Sequence, residues 1–376
     1  MLRARFRPID GETMISFGSI DGPSSTCFEY HRLDDIRDAL SQLNAINHLI
    51  NFDKGPISQV RVFDVDDIQY VYISVHHLVF DLLSVQIVRE DLTAFLTGQT
   101  LDPITHSYSA WADHLYSLAQ FIDPCSIDLP LAGIPLAVEL STDGTLITNE
   151  TREYARECIG QSATRQLMTV VTNQLGAVPV ELILSALVCA YHRHFGLTQL
   201  SVVYSSHGRK DPQGKLDVSR TVGFFACQFP LVLQNSLDGD LAITLRGIQA
   251  TLSTGMDSGF LRTVTKNLYC FSDDETELQR QFDAEPQFGF TYVDNIGFHD
   301  SPDSTTLLID RPAMVDELRT TKSQNIYPYL FDFAAWNTTR GLEITTHYNS
   351  KQFQAPASMN CFDEVSELQN VPRNGN

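Results

Sequence analysis

Strand-like and helix-like stretches alternate along the whole of this 376-residue chain, in two successive halves. Some stretches place apolar residues at every second position, as a strand does, and others place them at helical spacing. Residues 123–144 separate the halves and are rich in Pro, Asp, Gly and Ser, which predicts a linker. The alternation therefore predicts a mixed α/β (α+β) protein with an N-terminal lobe at 1–140 and a C-terminal lobe at 141–376.

The charge balance narrows the classes of partner. The chain has 46 Asp and Glu residues against 26 Lys and Arg, a net charge of -20. A surface of this sign repels nucleic-acid phosphates and anionic lipids. No stretch approaches about 20 consecutive apolar residues, and the N-terminus has no signal-peptide core. Seven cysteines without a C-x-x-C pair indicate free thiols in a reducing compartment. We therefore expect a cytoplasmic protein that binds neither nucleic acid nor membrane.

A strand-to-helix corner in the first half carries the strongest candidate chemistry. Residues 69–77 alternate as a strand, with His77 on the same face as Val71, Ile73 and Val75, so we expect His77 to point into the interior. Ser84 is placed to cap the following helix, and Gly98 to end it. An imidazole beside the carboxylate of Asp81 is suited to general-base catalysis. The alternative is that His76 and His77 are ordinary polar residues at a strand end.

The second half contains a polar loop that directly follows a buried strand. A helix over Val178–Phe195 is predicted from Pro179 at its start and Gly196 beyond its end, and the strand Leu200–Tyr204 then leads into the loop Ser205–Arg209. The guanidinium of Arg209 is a candidate partner for a carboxylate such as Asp81; the alternative is a solvated loop. Further strands are predicted over the ranges 222–233, 287–293, 327–336 and 342–348.

Several common catalytic signatures are absent from the sequence. It has no G-x-S-x-G elbow, P-loop, G-x-G-x-x-G fingerprint or H-E-x-x-H motif. Serine-hydrolase, nucleotide-binding and zinc chemistry therefore have no support, and no metal site is expected.

Six segments occur in the order in which one family of domains carries its motifs. They are Met1–Phe6, the His-His-x-x-x-Asp motif at His76–Asp81, Val178–Phe195, Ser205–Arg209, Asp217–Phe225 and Phe290–Tyr292. In these segments the chain resembles the condensation and epimerization domains of nonribosomal peptide synthetases. The resemblance covers nearly the whole chain.

The resemblance implies a fold, a chemistry and a set of partners. The fold would be two chloramphenicol acetyltransferase-like lobes, each a mixed sheet with helices, forming a V with a central channel. His77 would be the active-site histidine with His76 beside it, and Asp81 a structural carboxylate paired with Arg209. Ser205, His207 and Tyr292 would be channel or loop positions. A peptidyl carrier protein or synthetase module would deliver a small-molecule thioester on its phosphopantetheine, and the chain would need no cofactor of its own.

This sequence also departs from the family pattern. Leu82 stands where the motif continues with glycine, so the corner either forms with ordinary dihedral angles or has changed its geometry. Ser205 and Lys210 stand where epimerization domains have two glutamates. The family's opening strand and helix, which precede the Met1 segment, are missing, which leads us to expect a free-standing, N-terminally short member.

Three hypotheses for function follow from these residues. The leading one is an acyltransferase of the condensation type, acting in secondary metabolism, which joins a carrier-bound acyl or peptidyl thioester to an amine or hydroxyl. The second is a degenerate, non-catalytic module that binds a carrier protein as a scaffold. The third is epimerization, which needs a second proton-transfer group, and the hydroxyl of Ser205 is a poor one.

Overall fold

The computed structural model describes residues 2–9, 12–18, 28–46, 49–66, 68–129, 148, 151–196, 198–236, 240–293, 327–338 and 340–350. Contacts between residues divide the chain into two compact units. The first unit takes the described residues up to Ala110 together with Gly214–Phe225, and the second unit takes the other described residues. The predicted lobe boundary at residue 140 lies outside the described residues.

Within these residues the chain forms eleven strands and eight α-helices. The strands are β1 (Ala4–Ile9), β2 (Glu12–Phe17), β3 (Phe28–Arg32), β4 (Ser58–Val65), β5 (Ile68–Val75), β6 (Arg152–Gly160), β7 (Gln199–Ser206), β8 (Cys227–Gln234), β9 (Phe288–Val293), β10 (Phe331–Thr338) and β11 (Gly341–Asn349). The helices are α1 (Ala39–Ile46), α2 (Leu82–Leu96), α3 (Tyr108–Phe121), α4 (Gln161–Arg165), α5 (Thr172–Leu175), α6 (Pro179–Phe195), α7 (Leu241–Leu268) and α8 (Thr276–Asp283).

The first unit contains a β1-β2 hairpin and a three-stranded sheet in the order β3-β4-β5. β3 runs parallel to β4, as the intervening α1 allows, and β4 pairs antiparallel with β5. Leu43 and Ile46 of α1 form a buried cluster with Phe63 and Val65 of β4. This cluster is a hydrophobic core on one face of the sheet.

The prediction of which face of β5 is buried was wrong. Tyr70 and Tyr72 pack against the α1 cluster, whereas Val71 and Ile73 are 44% and 39% exposed. The reason is the register, which sets Tyr70 opposite Phe63 and so assigns both residues to the face that α1 covers. Because β5 is apolar on both faces, its period could not identify the covered one.

The second unit is built on a six-stranded mixed sheet in the order β6-β11-β10-β9-β7-β8. β9 lies parallel to β10 and to β7, and the other pairs are antiparallel. Aromatic residues fill the core of this unit, as in the stacked pair Phe288 and Phe331, whose ring centroids lie 5.5 Å apart. The mixed α/β fold class predicted from the sequence is confirmed.

Helix α6 follows its sequence signals closely. Pro179 is its first residue, the backbone N–H of Val178 donates to the Glu181 carboxylate at 2.8 Å, and Gly196 ends it with a φ of 69°. Proline at the start costs no hydrogen bond, and glycine alone takes a positive φ without strain. The helix is thus confirmed to within one residue.

Other elements were not predicted from the sequence. β6, α8 and the 28-residue α7 escaped prediction, and the expected strand over 222–233 begins only at Cys227. In α7, Gly259 lies against Phe229 so closely that a Cβ there would approach its ring within 2.2 Å. Glycine at this position allows α7 to pack against β8. Because glycine disfavours helices, its presence also weakened the sequence signal for a helix here.

Among the described residues, no single helix has the length and apolar character needed to cross a membrane. One pair of helical segments, Gln161–Leu175 and Pro179–Arg193, bent by 93°, satisfies the criteria of length and composition together.

Candidate active site

The corner after β5 holds the two adjacent histidines in a short 3₁₀ turn. The strand ends at Val75, His76 caps the turn His77–Val79, and the Nδ1 atom of His76 accepts a hydrogen bond from the backbone N–H of Leu78 at 3.1 Å. His76 also contacts the ring of Phe52, with centroids 4.5 Å apart. Burial, and secondly the neighbouring His77, lower the pKa of His76. In its neutral form, His76 therefore carries its proton on Nε2.

His77 adopts the opposite tautomer. Its Nδ1 atom lies 2.6 Å from the backbone carbonyl oxygen of Phe80, and since a carbonyl can only accept, Nδ1 must be the donor. In the neutral ring the lone pair then resides on Nε2, the form that can take up a proton. Contrary to the sequence-based expectation, His77 is exposed, because the strand has ended two residues earlier and the turn redirects the side chain.

Asp81 caps helix α2, a role that the sequence suggested for Ser84. Asp81 is 5% exposed, and its Oδ1 atom accepts from the backbone N–H of Ser84 at 2.8 Å and lies 2.7 Å from the Ser84 hydroxyl. Its Oδ2 atom accepts from the backbone N–H of Phe225 at 3.1 Å. A buried carboxylate needs such donors, and the N-terminus of a helix also favours its negative charge.

Leu82, which stands where the resemblance leads us to expect glycine, takes part in a corner with ordinary dihedral angles. Leu82 is the first residue of α2, and Asp81 before it is extended, with φ of -102° and ψ of 178°. Among the described residues, the non-glycine residue with a positive φ is Asp66. Of the two alternatives for the corner, the structure therefore has the one with ordinary dihedral angles.

Residues 214–225, which we call the returning segment, connect β7 to β8 but belong to the first unit. The carbonyl of Gly223 accepts from the N–H of Asp81 at 3.1 Å, and the N–H of Gly223 donates to the Ser84 hydroxyl at 3.0 Å. The hydroxyl of Tyr108 donates to the carbonyl of Phe224 at 2.9 Å. The returning segment is thus fastened to the start of α2.

A second set of contacts fastens the returning segment at Arg220. Its guanidinium pairs with Glu90 at 2.9 Å, with Asp91, and with Asp102 at 3.4 Å. These groups line a shallow cavity of about 300 Å³ at the end of α2. Just before α3, the backbone N–H of His106 donates to the carbonyl of Asp217 at 2.9 Å. The sequence motif Asp217–Phe225 therefore serves as a structural part of the first unit.

The second unit carries the other predicted site residues. Ser205 is partly buried near the end of β7 and accepts from the side-chain amide of Gln228 at 3.1 Å. His207 is exposed, and its Nδ1 atom accepts from the N–H of Arg209 at 3.1 Å. Ser205 lies opposite Thr291, so Tyr292, one residue further, points to the other face of the sheet. Ser205 and Tyr292 are therefore not brought together.

Arg209 and Asp81 lie in different units. Arg209 is 8% exposed in the second unit, and Asp81 caps α2 in the first. Their ion pair stays a prediction, as do the V shape and the channel. Beside Arg209, the carboxylate of Asp211 accepts from His114 Nε2 at 2.9 Å, which ties the loop to α3.

In the part of the chain that the structure describes, no group of three or more His, Cys, Asp or Glu residues is arranged to hold a metal ion.

Comparisons with known proteins find similarity to nonribosomal peptide synthetases. No family model matches it. It is 31% identical over 255 residues to the nonribosomal peptide synthetase ungA of Aspergillus violaceofuscus, an alignment that covers 61% of this chain and 2% of that protein. The chain thus spans a small fraction of the length of this relative.

Solved structures show the same fold. The epimerization domain from the third module of tyrocidine synthetase B matches 98% of this chain and 83% of its own, with a TM-score of 0.75 and 21% identity. The first condensation domain of the calcium-dependent antibiotic synthetase, in complex with a substrate analogue, matches 98% of this chain and 83% of its own, with a TM-score of 0.64 and 13% identity.

Proposed function

Because the chain is a domain of the condensation and epimerization family of nonribosomal peptide synthetases, we propose that it transfers an acyl or peptidyl group from a carrier-bound thioester to an amine or hydroxyl. The observation that carries the proposal is the 2.6 Å contact of His77 Nδ1 with the Phe80 carbonyl. This contact favours the tautomer in which Nε2 can accept a proton, on a side chain that is exposed.

The proposed reaction proceeds without a net change in the protein. As the nitrogen or oxygen of the nucleophile bonds to the thioester carbonyl carbon, Nε2 of His77 takes its proton. The bond between carbon and sulfur then breaks, and the imidazolium returns the proton to the departing thiolate. The thioester supplies the driving force. The thiol belongs to the phosphopantetheine of a carrier protein or synthetase module, which is the partner we propose.

A corner distorted by Leu82 would favour the alternative of a degenerate, non-catalytic module. That residue begins α2 in ordinary helical geometry, so the substitution does not disturb the turn that holds His77. Epimerization is less well supported, because Ser205 offers a hydroxyl that already accepts a hydrogen bond from Gln228, where a second acid or base is needed.

The test compares the wild-type protein with the substitution His77→Ala. Carrier proteins loaded with acyl or aminoacyl groups serve as donors, a panel of amines and alcohols as acceptors, and mass spectrometry detects the product. We expect His77→Ala to lower turnover about 100-fold or more, the usual contribution of a general base. The matched control is His31→Ala, which removes another imidazole of the first unit.

Undiminished turnover in His77→Ala would refute the assignment of the base. If the wild-type protein forms no product with any donor but binds the loaded carrier protein, the non-catalytic alternative is correct. Exchange of the α-proton of the bound aminoacyl group with solvent deuterium, without transfer, would instead identify epimerization.

A further inference from the structure

The imidazole of His77 is in contact with an aromatic ring from the returning segment. The rings of His77 and Phe224 have centroids 5.2 Å apart and planes at 87°, an edge-to-face arrangement. On its other side, the imidazole donates to the carbonyl of Phe80. The ring of His77 is therefore held by a hydrogen bond and by an aromatic contact from a residue distant in sequence.

The position of Phe224 is itself tightly determined. The residues before and after it are bonded to the start of α2, through Gly223 to Ser84 and through Phe225 to Asp81. The carbonyl of Phe224 accepts from Tyr108. Gly223 packs so closely that a Cβ there would approach the ring of Tyr108 within 2.4 Å. Three consecutive residues are thus fixed, and the ring of the middle one faces His77.

The hydrogen bond to Phe80 is too weak to fix the imidazole alone. A hydrogen bond of typical net strength favours one ring state over another only about fivefold, and water competes for an exposed donor. An edge-to-face aromatic contact adds a further preference of about two- to tenfold. The two contacts together hold the ring in one state far better than either one.

We propose that Phe224 is a positioning residue that holds the orientation and tautomer of His77, so that Nδ1 stays on the Phe80 carbonyl and Nε2 stays available. The catalytic significance of this role rests on the proposed function, but the state of the ring does not. Phe224 acts through His77 and need not touch the substrate. The returning segment therefore gives the second half of the sequence a part in shaping the candidate base.

The decisive measurement is the tautomer of His77, read from ring nitrogen chemical shifts in the full-length protein labelled with ¹⁵N-histidine. The substitution His77→Gln assigns the signals. In the wild type we expect the neutral ring to have a protonated Nδ1 and an unprotonated Nε2. In Phe224→Ala we expect a mixture in which at least about a third of the ring carries its proton on Nε2, the form that free imidazole side chains favour.

Two matched variants separate the ring of Phe224 from general loosening of the segment. Phe224→Tyr keeps an aromatic ring and should retain the wild-type tautomer. Val222→Ala removes an apolar side chain from the same segment and leaves the ring of Phe224 in place, so it too should retain the tautomer. Circular dichroism verifies that each variant is folded.

Turnover is measured on the same variants. We expect kcat in Phe224→Ala to fall in proportion to the lost active tautomer, by about 1.5-fold or more, with little change in KM, and to recover in Phe224→Tyr. Unchanged nitrogen shifts in Phe224→Ala, or an equal change in Val222→Ala, would overturn the proposal. If His77→Ala leaves turnover intact, the proposed function fails at His77, whereas the nitrogen shifts still decide the role of Phe224.

Discussion

Two histidines of this chain, His77 in the first unit and His347 in the second, have contrasting surroundings. His77 lies on an exposed turn, and its Nδ1 atom is bonded to the Phe80 carbonyl. His347 lies in β11, and its Nδ1 atom is buried and has no hydrogen-bond partner among the described residues. Burial, followed by Arg152 and Arg156, lowers the pKa of His347 to about 4. The strongly perturbed imidazole is thus a residue of the second unit, whereas the candidate base of the first unit is exposed.

The surroundings of His347 show what burial in a sheet does to polar groups. It faces Asp332 across the strand pair, and burial raises the pKa of that carboxyl, which accepts a hydrogen bond from Tyr327. Arg152 lies over the ring of Tyr327 at 4.6 Å. Close by on β11, Thr345 is 2% exposed, and within the part of the chain that the structure describes its buried hydroxyl has no hydrogen-bond partner. A neutral imidazole in this setting is a weak base.

The difference is that hydrogen bonding determines the state of the His77 imidazole, whereas burial determines that of His347. The turn around His77 satisfies Nδ1 on an exposed side chain, and its polar neighbours are bonded to backbone groups. The His347 region holds polar groups at a cost in stability. We call the corner around His77 the first region and the surroundings of His347 the second region. We therefore expect substitutions in the first region to change its geometry, and a lower pH to destabilise the second region.

The largest effect is expected at Asp81, which fastens the first region together. Asp81→Ala removes the cap of α2 and leaves the buried N–H of Phe225 without its acceptor, so we expect a loss of about 3 kcal/mol in stability. Hydrogen exchange of peptides covering 81–96 and 221–225 measures it. The control is Asp35→Ala, which removes an exposed cap of the same type and should have a much smaller effect. An equal effect at both sites would contradict the special role of the corner.

Acidification should act on the second region through His347. The pKa of His347 is about 4 in the folded protein, below the value of about 6.5 expected when it is unfolded, so the unfolded state binds more protons between these values. The free energy of unfolding should therefore decrease as the pH is lowered, and this group should account for a decrease of about 2 kcal/mol between pH 7 and pH 5. Both tryptophans, Trp111 and Trp336, lie in the second unit, so their fluorescence during urea unfolding reports on it. The pH dependence should weaken in His347→Gln, and an unchanged dependence would exclude His347 as its source.

Arg220 tests whether the returning segment is held by its ion pairs. Its side chain is 20% exposed and pairs with three carboxylates, so Arg220→Ala should cost about 1 kcal/mol and speed exchange of amides in 214–225. The control is Arg280→Ala, whose pair with Glu277 is exposed on both sides and should contribute nothing measurable. If exchange in 214–225 is unchanged by Arg220→Ala, the backbone bonds to α2 alone hold the segment.

The sequence predicted those parts of the fold and site that depend on near neighbours. The limits of α6 follow from Pro179 and Gly196, and the corner at Asp81 follows from the change of period after β5. The return of Gly223 to Ser84 spans 139 residues, and no local pattern encodes such a contact. The burial of Tyr70 instead of Val71 depends on which face α1 covers, and the tautomer of His77 depends on a carbonyl that only the folded turn brings near.

The smallest effect is expected at Leu82. The substitution Leu82→Gly introduces the glycine with which the family's motif continues at this position. Because Leu82 is the first residue of α2 and has helical geometry, glycine there should lower stability by about 0.5 to 1 kcal/mol through backbone entropy alone. The tautomer of His77 and the turnover should stay as in the wild type, since neither contact of the imidazole involves Leu82. Urea unfolding, ¹⁵N shifts and product formation measure the three quantities, and the control is Leu82→Ala, which keeps a helix-forming residue and shortens the side chain. A gain of activity in Leu82→Gly alone would mean that leucine does distort the corner, and that the first region is less well prepared for catalysis than its hydrogen bonds indicate.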